Sequence, residues 1–180
     1  MFEAAMSRGE PKSLSRRDVL FGLVNRFRGA PEKGRNVAGI DPDLLQAESA
    51  IAGGDYAAAV TSLRACLAKS PEQAQARAKL GYCLYKGGRH IQAACELNRV
   101  LKKKDDNFSA LYLGLVQARL GRLDAAVAAW KRYFNPDLPT LQRELNLQMA
   151  LIASETPPTA EEVVASIETA IADCPDGLAS

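Results

Sequence analysis

Four thiols and one imidazole are the groups in this chain best suited to nucleophilic or metal chemistry: Cys66, Cys83, Cys95, Cys174 and His90. A catalytic thiol needs a base beside it. A zinc site needs three or four closely spaced sulfur or imidazole ligands. No two of the cysteines form a Cys-x-x-Cys pair, and a lone histidine leaves little from which to build a base–nucleophile couple or a metal centre. Three of the thiols fall at apolar positions of helical patterns, as small core residues in a reducing, cytoplasmic compartment do. No glycine-rich phosphate loop is present. These residues point to a non-catalytic chain with no cofactor and no metal.

Charge divides the 180 residues unevenly. Residues 1–40 hold eight Lys/Arg against four Asp/Glu, and the remainder fifteen against seventeen. The net charge is only +2, so the balance gives no reason to expect nucleic acid as a partner. Hydrophobic residues make up 47% of the chain and aromatics 6%, with alanine and leucine prominent. That composition favours packed helices over sheets. No stretch approaches the roughly 18 consecutive apolar residues of a membrane-spanning helix.

The elements that must position any functional residue repeat. "GDYAAAVTSLRACL" from Gly54, "GRHIQAACELNRVL" from Gly88 and "GRLDAAVAAWKRYF" from Gly121 align at spacings of 34 and 33 residues. Such a period predicts an array of helical hairpins. The glycines suit a tight inter-helix turn, and Ala59, Ala93 and Ala126, five residues later, suit a close helix approach. Helix starts are signalled by Asp41-Pro42, by Asp106, and by Ser70-Pro71-Glu72-Gln73, which reads as a capping box. Beyond Pro136 a further pair is expected. Its first helix would run from about Thr140 to Ser154, and its second would open at a Thr159–Glu162 capping box with Val163, Ile167 and Ile171 in one stripe.

This pattern resembles the tetratricopeptide repeat family, whose signature is W-x2-L-G-x2-Y, then A-x3-F, then Pro. Leu80-Gly81, Ala93 and Leu97 match it in the second repeat, and Leu113-Gly114, Ala126 and Trp130 in the third. The first keeps Ala59, Leu63 and Pro71 but has Ala47 in the glycine slot. The tryptophan slot holds Asp43, Arg77 and Ala110, and Asp105 replaces the second closing proline. The resemblance implies an all-α, right-handed α-solenoid of antiparallel helical hairpins. Residues 41–137 form three repeats (about 41–72, 73–106 and 107–137), and residues 138–175 form a divergent capping hairpin.

By the same resemblance, the first helix of each pair lines a concave groove, and the work done there is binding of a protein partner. The groove positions are Leu44 and Glu48 in repeat one, Tyr82 and Tyr85 in repeat two, and Phe108, Leu111, Leu115 and Arg119 in repeat three. The Lys/Asn/Arg set with which some family members grip a peptide's C-terminal carboxylate is missing, which argues against a chaperone-tail receptor. An apolar, tyrosine-lined groove suits an amphipathic helix or an extended hydrophobic segment. Association between copies, giving a homo-oligomer, stays open.

Residues 1–40 read as a mobile basic segment with a short amphipathic helix and a linker. Leu20, Leu23, Val24 and Phe27 make one stripe, flanked by Arg16, Arg17, Arg26 and Arg28. Residues 13–29 could dock on a partner, lie on an anionic membrane surface, or fold back on the repeats. "SRRDVL" is similar to the twin-arginine export motif. The apolar run that follows is interrupted by Gly22 and closed by Asn25-Arg26, short of the roughly 7–15 residues a leader needs, so export is not expected. A similar opening in accessory proteins of anaerobic respiration implies a scaffold or assembly factor for a bacterial redox complex. The alternative is a membrane-surface adaptor anchored by this helix.

Overall fold

Three glycines turn the chain at left-handed φ: Gly54 at 75°, Gly88 at 72° and Gly121 at 71°. A Cβ would strain the backbone there. Each turn closes in the same way. The N–H groups of Asp55, Arg89 and Arg122 donate to the carbonyls of Ala50, Leu84 and Gln117 at 2.9, 2.8 and 2.9 Å, and each glycine N–H donates to the carbonyl three residues back. This pair of bonds satisfies the last carbonyls of one helix while reversing the chain into the next.

A computed structural model describes residues 41–174 and shows an all-α helical-repeat solenoid built on that turn. Three hairpins come first: α1 (Pro42–Ala52) with α2 (Tyr56–Lys69), α3 (Ala74–Lys86) with α4 (His90–Leu101), and α5 (Asn107–Arg119) with α6 (Leu123–Trp130). A fourth pair follows, α7 (Pro139–Ile152) and α8 (Ala160–Ala172). The second helix of one hairpin packs on the first helix of the next, α2 on α3 and α4 on α5, and α3 also touches α5. Eight helices and no strand occur among the described residues.

Caps fix where several helices begin. Asp41 accepts from the Asp43 N–H at 2.9 Å, Asp55 from Ala58 at 2.9 Å, and Asp106 from Ser109 at 2.8 Å. The Thr159–Glu162 box is reciprocal: the Thr159 N–H donates to Glu162 Oε2 at 2.8 Å and the Glu162 N–H to Thr159 Oγ1 at 3.3 Å. The box expected at Ser70 does not form. Ser70 instead ends α2, its N–H bonding the Cys66 carbonyl, and α3 begins only at Ala74. The Gln73 N–H turns back to the Ser70 carbonyl at 3.2 Å, and Glu72 pairs with Lys103 of the next hairpin instead of capping.

Helices within a hairpin approach at small residues. Ala59, Ala93 and Ala126 are fully buried. A Cβ added to Gly81 would stand 2.6 Å from Leu97 Cγ, and one added to Gly114 would overlap the indole of Trp130. Trp130 is fully buried, and its Nε1–H donates to the Leu111 carbonyl at 3.1 Å. Ion pairs then tie hairpin to hairpin: Glu48 with Lys79 across repeats one and two, and Arg132 with Asp105 at 2.6 Å.

The fourth pair leaves this regular stacking. α7 meets α6 only at its edge, whereas α8 turns back to pack on α5. As a result α5 is covered on every side: Ser109 through Val116 and Ala118 are all buried.

Gly114→Ala is expected to destabilise the chain by about 1–3 kcal/mol, the usual cost of overpacking, because the new methyl meets the indole rather than a flexible tip. Gly53→Ala is the control, since its Cβ would find ordinary contact 3.5 Å from the Ser49 carbonyl. Urea denaturation of both variants checks this. Equal midpoints would contradict the packing described.

Candidate functional site

The repeat register carries an aromatic row across the hairpins. Tyr56 opens α2, Tyr82 and Tyr85 sit on α3, and Phe108 and Tyr112 on α5. Tyr82 is at the centre, its ring 5.9 Å from Tyr56, 5.8 Å from Phe108 and 4.8 Å from Tyr112, each at a steep interplanar angle. Edge-to-face pairs of this kind stabilise by about 0.5–1.5 kcal/mol beyond their buried area. Tyr112 is buried, while Tyr56, Tyr82 and Phe108 keep part of their faces open. Burial pushes the Tyr82 hydroxyl well above its ordinary pKa, and the neighbouring Tyr56 adds to this. Tyr112 is raised chiefly by burial as well. The row is therefore a neutral, rigid, apolar surface edged with hydroxyls.

Beside it, α8 is fastened by one carboxylate. Glu168 accepts from the Tyr85 hydroxyl at 2.6 Å and from Arg119 at 3.1 Å, bridging first helices of two successive repeats. Burial, then this carboxylate, raises the Tyr85 pKa. Arg119 is held further in its charged form, first by Tyr85. Val163, Val164 and Ile167 of α8 are fully buried. His90 lies at the same end, its ring 5.7 Å from Tyr85, and its buried Nδ1 has no hydrogen-bond partner among the described residues. Burial first, and Arg119 second, lower its pKa.

The residues expected in an open groove therefore divide. Tyr82 and Phe108 are half-open, and Glu48 is half-buried and paired with Lys79. Arg119 is exposed but engaged by Glu168. Leu44 and Tyr85 are buried, and Leu111 and Leu115 have no exposed surface at all. The expectation that these four face an open groove is corrected: they pack into the continuous core, with α8 laid on α5. The proposed docking residues Arg16, Arg17, Leu20, Leu23, Val24 and Phe27 lie outside the described residues. Glu168, Tyr56 and Tyr112 were not foreseen. The signal for Glu168 and Tyr112 was the near-unbroken apolar run Phe108–Val116, which leaves that stretch of α5 almost without a polar side and so calls for a further cover.

Burial pushes Cys83 up to about 11 and raises Cys66, so both stay protonated. Cys95 is exposed and Cys174 half-buried. Among the described residues, no group of His, Cys, Asp and Glu is placed to hold a metal ion, and no helix is long and apolar enough to cross a membrane.

Residues 44–110 match the family model described as Tetratricopeptide repeat. That family typically serves as a protein-interaction module. No curated protein matches the chain significantly.

Leu111→Glu is expected to abolish the cooperative melting transition, because it would bury an unpaired carboxylate. A variant that melts like the wild type would mean that α8 does not cover this position. His90 gives a pH signature. Its folded pKa lies below the ordinary 6.5, so the unfolded chain binds the proton more readily, and stability falls as pH drops through 6.5 toward the folded value. His90→Gln should lessen the loss of melting temperature between about pH 7 and 5. Identical pH profiles would contradict the buried-imidazole assignment.

Proposed function

We propose that this chain, whose residues 44–110 match the Tetratricopeptide repeat model, is a non-catalytic scaffold or assembly factor that takes a partner's apolar segment on the row Tyr56, Tyr82 and Phe108. The observation that carries this reading is the half-open state of these rings, beside a stretch of the same face already closed by α8. Tyrosine and phenylalanine give wide contact with few rotors to freeze, and the tyrosine hydroxyls orient the ligand. Three half-open rings in a row suit one face of an amphipathic helix or every second residue of an extended strand. The buried aliphatics around them hold the rings in place, and so set the shape of the surface without touching the partner.

Tyr56→Ser with Phe108→Ser tests it. Both rings are only partly buried, so the double variant should keep its helical signal and a cooperative transition. It should lose by about tenfold or more the proteins that quantitative affinity capture recovers with the wild-type chain, because aromatic anchors dominate such contacts. Capture unchanged by the double substitution would overturn the assignment of this row.

A further inference from the structure

A separate groove of about 460 Å3 runs along α4 and ends at the α5–α6 turn. None of its lining residues belongs to the aromatic row or to the Glu168 contact. One wall is a single stripe from Ile91 on α4 to Lys102 just past its end, about three helical turns or roughly 16 Å. The other is Gln117, Leu120 and Arg122.

The chemistry of the lining is one-sided. Ile91 is 70% exposed and lies with Ala94 and Leu120 in the concavity rather than alone on a flat surface. Arg99, Lys102 and Arg122 supply three cations, and no carboxylate lines the groove. Arg99 is partly neutralised by Glu96 at 2.9 Å, but Lys102 and Arg122 form no ion pair among the described residues. An apolar floor and a cationic rim complement one kind of occupant. That occupant carries aliphatic side chains between carboxylates.

The geometry points to a second binding site, for an acidic amphipathic segment of a partner protein about three helical turns long. Its aliphatic side chain would rest on Ile91, Ala94 and Leu120, and its carboxylates would pair with Lys102 and Arg122. The site does not depend on the aromatic row, so the chain can hold two partner segments at once.

Cys95 reports occupancy, because it is exposed in this groove while Cys66 and Cys83 are buried. The probe is a fluorescent peptide of glutamate and leucine about twelve residues long, against its lysine–leucine counterpart, titrated into the full-length chain. Anisotropy reads binding, and N-ethylmaleimide labelling with mass spectrometry reads the Cys95 rate. The acidic peptide should bind and slow Cys95 labelling. Lys102→Glu with Arg122→Glu should weaken both effects by about tenfold or more without moving the melting temperature, since reversing two rim charges removes attraction and adds repulsion. Lys102→Gln with Arg122→Gln should do so to a smaller degree, and Tyr56→Ser with Phe108→Ser should do neither. No binding of the acidic peptide overturns the proposal, as does binding that leaves Cys95 reactive. Equal protection by the lysine–leucine peptide reduces the groove to a sticky apolar patch and overturns it. Equal protection by inorganic phosphate makes it a simple anion site, and concentration-dependent protection of the chain alone, with a dimer mass, makes a second copy the occupant. Either result overturns the peptide assignment.

Discussion

A second helix can lie closely on a first only where one of them gives up its side chain. Gly81 under Leu97 and Gly114 under Trp130 are that contact here, and the rest of the structure follows from it. The contact fixes the rotation of α3 and α5 about their axes. Rotation in turn decides which residues enter the core and which line the row of first helices. Tyr82 follows Gly81 directly, and Tyr112 precedes Gly114 by two positions, so both rings are aimed by the same close approach that holds the hairpins shut. Fold and site are two consequences of one packing rule.

The same rule leaves α5 with apolar residues all round, and this governs the end of the array. A fourth hairpin stacked in register would cover one more flank of α5. Instead α8 turns onto it, burying Val163, Val164 and Ile167, each worth about 1.5–3 kcal/mol on full burial. Glu168 adds direction to a contact that is otherwise only apolar, since one carboxylate must meet Tyr85 and Arg119 together. Closure by α8 limits the open aromatic surface to Tyr56, Tyr82 and Phe108.

Hairpins were legible in the sequence because their determinants are local and recur. A glycine at positive φ, an alanine five residues on and a large residue four beyond that are visible within one repeat. Asp41, Asp55, Asp106 and Thr159 act within one turn of their own helices. What was not legible depends on distant partners. Ser70 looks like a cap until Glu72 is found with Lys103, 31 residues away. Leu111 and Leu115 look like groove residues until α8 arrives from about 50 positions downstream. The groove at Ile91 joins one helix stripe to a turn of the next repeat, so no single motif announces it.

Two surfaces of opposite character result, one aromatic and neutral, the other aliphatic and cationic. The extent of the first depends on α8 being in place on α5, because α8 separates open rings from closed ones. The five tyrosines distinguish the two cases. Tyr85, Tyr112 and Tyr133 are buried, whereas Tyr56 and Tyr82 are partly open. Nitration of the native chain, mapped residue by residue by mass spectrometry, should modify Tyr56 and Tyr82 and spare the other three. Nitration of Tyr85 as fast as Tyr82 would show that α8 is not held there, and would contradict the account.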